Sequence, residues 1–311
     1  MKGLLIYVKE DYEKNKSYVN WLIDEFKIKD VELILKFEDE IINEGININE
    51  NIKFIINRSR NYNITLEAEL CNIRVFNKSD ICLLGNNKLL AYRYAESKGY
   101  LYPDIILDWN NKNKKDIISK TTDGHGGCDV TLLEHLNINS SKNRFQQKLI
   151  KDIIGDIRFY IIGNKIIHAI LRTSNKLVSN FSKGGNIQVY NFNSKEKQYV
   201  EKFINDLEID FAGVDFFLTK NKELIFNEIE DVVGSRMLSV LNLNNTTELF
   251  VNHILEEIKI INKIKDLEED YKSLGNSEIK CYEDLLEIDS QQEFILNEIE
   301  KLKSNKITSK K

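Results

Sequence analysis

The chain has 311 residues, 42% hydrophobic and 30% charged, with a formal net charge of −5 and a pI near 5.6. That length holds two or three domains with cores of their own, the composition excludes a disordered chain, and the acidic balance argues against non-specific nucleic-acid binding. Only eight of the 44 basic residues are Arg, so each Arg is a candidate for a place where a bidentate cation is needed.

Residues 1 to about 80 alternate strands at Leu4 to Val8, Val31 to Lys36, Phe54 to Asn57 and Arg74 to Phe76 with helices at Tyr18 to Phe26 and Ile64 to Cys71. Such alternation predicts a small α/β domain on a mostly parallel sheet. Arg58 and Arg60 follow the third strand, at a carboxyl end that often faces ligand; they read equally well as ordinary surface arginines. Asn86-Asn87-Lys88 leads into a helix over Leu89 to Lys98, closed by Gly99, and Pro103 opens a short strand at Asp104 to Leu107. Lys88 at that helix start opposes the helix dipole unless an anion is close.

A strand at Asp116 to Thr122 runs into Asp123-Gly124-His125-Gly126-Gly127 and then a strand at Cys128 to Leu133. Three glycines in four positions let backbone N–H groups close around an anion, with Lys120 as a point charge for the same phosphates. The loop is neither a Walker A sequence nor a Rossmann fingerprint, and an ordinary glycine-rich hairpin turn also fits it. Phe145 to Ile150 reads as the next strand. Asp156 to Gly163 and Lys165 to Arg172 then flank a Gly163-Asn164 turn. Counting across that turn sets Arg158 near His168 to Ala169, with Arg158 and Arg172 in reach of one face. Asn180 and Gly184-Gly185 lie in a polar loop ahead of an amphipathic helix at Ser194 to Leu207.

Gly213 to Glu230 reads as two strands about a turn at Asn221-Lys222. A two-residue loop there pairs Lys220 with Glu223, sets Asp215 opposite Glu228, and places Glu228 and Glu230 on one face with Leu224 and Phe226. Carboxylates so gathered repel unless a cation sits among them. A hard divalent ion, Mg²⁺ first, suits them better than zinc because no His or Cys lies in the hairpin. The other reading is a solvated hairpin whose acids never meet. Gly234-Ser235-Arg236 closes it.

From Thr246 to about Asp270, and from Tyr282 to Ser304, the pattern is helical and highly charged, predicting an added unit that packs on the core or pairs with another subunit. Cys71, Cys82, Cys128 and Cys281 have no metal-ligand spacing and read as reduced thiols of a cytoplasmic protein. No stretch approaches the ~18 apolar residues of a membrane span.

Taken in order, Asn87-Lys88, Lys120 with Gly124 to Gly127, Asp156-Ile-Arg158, Arg172-Thr-Ser, Asn180 with Gly184-Gly185, Gly213-Val-Asp215 and Glu228-Ile-Glu230 resemble the ATP-grasp superfamily. The likeness is greatest to its branch of ribosomal-protein-modifying, glutathione-synthetase-like ligases and runs from about Arg58 to Arg236. It implies an α+β and α/β fold: a pre-ATP-grasp domain with a parallel sheet at 1–80, a lid subdomain at 81–150, a core subdomain with the metal site at 151–260, and a helical extension at 261–311. Two α+β subdomains would clamp ATP, with Lys88, Lys120, Gly124, His125, Gly126, Gly127 and Asp156 toward its phosphates and Gln147, Lys148, Leu149 and Ile150 beside adenine. Asp215, Glu228 and Glu230 would hold Mg²⁺, or Mn²⁺ in its place. Arg158, Arg172, Asn180 and Arg236 would serve the acceptor and the transferring phosphoryl.

The resemblance further implies a cytoplasmic homodimer or homotetramer. It would activate a carboxylate of a small molecule or short peptide as an acylphosphate for attack by an amine. Two alternatives keep the ATP site: a kinase acting on a small-molecule hydroxyl, and a nucleotide-binding structural or regulatory protein working through its C-terminal helices. The chain departs from the family in carrying Glu228-Ile-Glu230 where Glu-x-Asn is usual, and Val178 where an arginine often precedes the loop asparagine. Asp215→Asn and Lys120→Ala are each expected to abolish turnover and spare the fold.

Overall fold

A computed structural model describes residues 1–46, 51–109, 112–124, 130–136, 143–174, 185–275 and 282–308. The chain divides into two units, Met1–Phe250 and Val251–Lys311. The first begins β1 (Lys2–Tyr7), α1 (Lys9–Ile28), β2 (Glu32–Phe37), α2 (Glu38–Glu44), β3 (Ile52–Asn57), α3 (Tyr62–Leu70), β4 (Arg74–Phe76). Its strands make a four-stranded parallel sheet in the order β2-β1-β3-β4. Leu4 to Tyr7 and Phe54 to Ile56 are buried in succession, as strands covered on both faces require. Val19, Leu22 and Phe26 recur at helical spacing to form the buried stripe of α1.

At the carboxyl end of this sheet Arg58 donates through Nε to the Tyr7 hydroxyl (2.7 Å) and through Nη2 to the Val233 carbonyl (3.0 Å), and it lies against the Tyr7 and Tyr18 rings. Arg60 pairs with Asp11 at 2.7 Å. Arg58 is thus a tie between chain segments distant in sequence, a role outside both sequence readings.

Then follow α4 (Ser79–Asn86), α5 (Lys88–Ser97), β5 (Ile105–Ile106), β6 (Ile117–Thr121), β7 (Thr131–Leu132) and β8 (Arg144–Lys148). Asn87 caps α5, its side chain accepting from the Leu90 N–H (3.2 Å), and Gly99 beyond its end takes the left-handed φ of +73°. The strands form an antiparallel sheet in the order β5-β8-β6-β7.

The remaining strands of this unit are β9 (Ile153–Ile162), β10 (Lys165–Thr173), β11 (Asn186–Val189), β12 (Phe211–Thr219) and β13 (Leu224–Glu230), with α6 (Ser194–Ile204) before β12 and α7 (Arg236–Val240) after β13. They form an antiparallel sheet, β11-β10-β9-β12-β13. Ile157, Phe159 and Ile161 of β9, Val214, Phe216 and Leu218 of β12, and Phe226 and Ile229 of β13 line one face, where they pack with Ala91, Tyr92 and Ala95 of α5 and Val200 and Phe203 of α6. The other face carries the polar residues.

From α8 (Thr246–Gly275) the chain passes into the second unit, completed by α9 (Tyr282–Thr308). Within that unit the two helices are tied by Lys263 to Glu298 (4.0 Å), Lys303 to Glu268 (3.5 Å) and Gln292 to the Tyr271 carbonyl (3.4 Å).

Candidate active site

Two β-bulges build the site. Across the β9–β10 turn Ile162 pairs with Lys165 and Ile161 with Ile166, but Tyr160 pairs with His168, so Ile167 is an extra residue. Arg158 therefore falls opposite Ile170 rather than His168 or Ala169, and Arg172 falls opposite Asp156. In the second hairpin the turn is one residue longer than the sequence reading. The Glu223 carbonyl accepts from the Thr219 N–H at 3.0 Å, and Lys222 takes a φ of +65°. Leu218 then pairs with Leu224 and Phe216 with Phe226; the extra residue Asn227 restores Asp215 opposite Glu228. The same bulge corrects the facing: Phe226 stays in the core, while Glu228 and Glu230 turn to the face of Asp215.

On that face the charges are interlocked. Arg158 grips the fully buried Asp215 with Nε on Oδ1 (2.9 Å) and Nη2 on Oδ2 (2.8 Å), and its Nη2 also pairs with Glu230. Arg172 holds Asp156 with Nε on Oδ1 (2.9 Å) and Nη2 on Oδ2 (2.5 Å), and its Nη2 reaches Asp215 at 2.5 Å. These bidentate pairs satisfy groups that would otherwise be unpaired charges in a dry site. Gly213 makes the packing possible: a Cβ there would lie 3.1 Å from Cδ and 3.2 Å from Nε of Arg158.

Oxygens of Asp215, Glu228 and Glu230 lie within 4.8 Å of one another, among the described residues a grouping able to hold a metal ion. An all-carboxylate set of this kind suits a hard divalent cation. Glu228 also pairs with Lys88 at 2.9 Å. Burial by itself would raise the Glu228 carboxyl, but Lys88, with Arg158 and Lys120 near, holds it down at about 2. Lys88 thereby has the anion that its place at the start of α5 asked for, and its ammonium also donates to the Gly124 carbonyl.

Lys120, on β6, is different. Its ammonium is buried, and its hydrogen-bond partners are the uncharged Tyr92 hydroxyl and Asn227 Oδ1, both at 3.4 Å. Burial pulls its pKa down to about 8. Sequence reasoning passed over these two partners: Tyr92 sits at a helical core position, and Asn227 becomes prominent only through the bulge.

Gln147 is buried and donates to the Pro103 carbonyl at 2.9 Å, while the N–H groups of Lys148 and Leu149 donate to the carbonyls of Asp104 and Asp116, each at 2.9 Å. Those donors are occupied within the protein. Arg236 stands exposed at the first turn of α7, outside the charge network. His125, Gly126, Gly127, Val178 and Asn180 lie outside the described residues.

Residues 106–253 match the model of the RimK-like ATP-grasp domain. The chain is 29% identical over 270 residues to "Uncharacterized protein MG011" of Mycoplasma genitalium, covering 83% of this chain and 94% of that protein. It is 28% identical over 208 residues to a "Probable alpha-L-glutamate ligase" of Parasynechococcus marenigrum, covering 58% of this chain and 45% of the relative. In structure it is similar to D-alanine–D-alanine ligase from Bacillus anthracis complexed with ATP, with a TM-score of 0.65 and 15% identity over 85% of this chain and 99% of that one.

Proposed function

We propose that this chain, whose residues 106–253 match the RimK-like ATP-grasp domain, joins a carboxylate to an amine through an acylphosphate, using ATP and Mg²⁺. One observation carries the reading: a buried cation that pairs with no carboxylate among the described residues, Lys120, stands in the same constellation as the close-set carboxylates Asp215, Glu228 and Glu230. The first leaves room for an anion, and the others bring carboxylate oxygens close enough to share a cation. A magnesium-bound triphosphate supplies both.

In this reading Asp215, Glu228 and Glu230 hold Mg²⁺, with Mn²⁺ able to replace it. Lys120, Lys88 and the Gly124 to Gly127 loop take the phosphates, and Gln147 to Ile150 border the adenine. Bound MgATP supplies the phosphoryl group and the charge neutralisation that make a poor electrophile, the carboxylate, open to attack. The protein's part is to place charge: Arg172 lies held by the Asp156 and Asp215 carboxylates, so its orientation is set before any substrate arrives. A guanidinium on the acceptor carboxylate orients its oxygen for the transfer, and Asn180 and Arg236 serve the acceptor in the same reading.

Relatives named for glutamate make it the first amine to offer. The test is ATP turnover with Mg²⁺ against pooled amino acids, short peptides and carboxylic acids in the presence of hydroxylamine. ADP together with a hydroxamate is the expected product. ADP with a phosphorylated alcohol and no hydroxamate would replace the ligase reading with a kinase.

A further inference from the structure

Lys88, Lys120, Arg158 and Arg172 balance Asp156, Asp215, Glu228 and Glu230 in formal charge. A divalent ion entering alone would leave that buried cluster positive. Moreover, the Arg158 Nη2 lies 2.8 Å from Asp215 Oδ2 and pairs at the same time with Glu230 Oε2, so it bridges two of the three grouped carboxylates. A metal ion shared by those oxygens needs the same ground. Resting on the metal site proposed above, we infer that Arg158 competes with the divalent cation for Glu230, and that metal binding turns the Nη2 edge of Arg158 from Glu230 toward the reacting anion.

Arg158 is on this account a positioning residue whose two partners are exclusive in time. With Glu230 it closes the metal site; once the cation takes Glu230, its freed Nη2 edge is offered to the acceptor carboxylate or the phosphoryl group. Asp215 keeps hold of Arg158 through Nε and Oδ1, at 2.9 Å, which makes the movement a pivot rather than a release. Metal and anion binding become coupled through one side chain, because the anion takes up the positive charge that the metal displaces.

The test is a double-mutant cycle read by Mn²⁺ binding, using the free-ion paramagnetic resonance signal and the full chain. The four proteins are the unmodified chain, Arg158→Lys, Glu230→Gln and the pair combined. Lysine keeps the charge and loses the fork, so Arg158→Lys is expected to tighten Mn²⁺ about three- to tenfold when Glu230 is present and less than about twofold when it is Gln. An equal change in both backgrounds, or a weakening, overturns the competition and leaves the metal site standing. No Mn²⁺ bound by the unmodified chain, either alone or with a non-hydrolysable ATP analogue, overturns both. A second measurement needs no variant to fold as the parent does: the Arg158 Nε–H resonance of the unmodified protein should move along the Mg²⁺ saturation curve. Saturation that leaves it unmoved overturns the proposal.

Discussion

Lys120 and Asp215 show how one buried site treats its charges in opposite ways. With its pKa at about 8, Lys120 carries its proton below that value and loses it as pH rises through it. If a nucleotide binds the ammonium form, affinity for MgATP falls between pH 7 and 9, about tenfold per unit beyond pH 8. Isothermal titration across that range measures it. Lys120→Arg, charged throughout, should flatten the dependence. Asp215 is the partner of two buried guanidinium groups. Asp215→Asn therefore lowers stability as well as turnover, by about 3–5 kcal/mol if it behaves like other broken buried pairs, and urea unfolding gives the value. The sequence reading expects this substitution to spare the fold; the ion pairs of Asp215 add an expected loss of stability to it.

At the scale of elements, the bulges at Ile167 and Asn227 decide what faces what. Without the first, Arg172 would not fall opposite Asp156; without the second, Glu228 would share the core face with Phe226. The hairpins also pack too closely for ordinary side chains. A Cβ on Gly155 would come within 2.2 Å of the Arg172 carbonyl oxygen, an atom held by the β10 backbone. Gly155→Ala must therefore part β9 from β10 at the level of Arg172, at a cost of about 1–3 kcal/mol. A lowered melting temperature with loss of nucleotide binding is expected, and an unchanged melting curve would show that the backbone yields freely.

For the whole molecule, a near-neutral charge cluster means that neither Mg²⁺ nor the triphosphate alone suits the site. Mg²⁺ with a non-hydrolysable ATP analogue at 100 times its dissociation constant should add about 2.7 kcal/mol of stability. Differential scanning calorimetry should show a rise in melting temperature with the two together and much less with either alone. Equal shifts from the analogue without metal would contradict the coupling. Among the described residues no helix is long and apolar enough to cross a membrane.

The sequence by itself determined most of the order of elements, missing α2, α4 and β11, together with the parallel sheet at the N-terminus and the residues of the acidic hairpin. Apolar period, glycine positions and carboxylate spacing are local signals, and they can be read one segment at a time. Asp215 opposite Glu228 was legible too, but through two offsetting miscounts, a turn one residue too short and a bulge unseen. Only the tertiary structure decided that Arg58 would bind Tyr7 and Val233, that Arg172 would take Asp156, and that Lys120 would be buried against Tyr92 and Asn227. The reason is physical. Which cation a buried carboxylate receives depends on the register of strands brought together across long stretches of chain, and a single extra residue in a strand reverses the facing of all that follow.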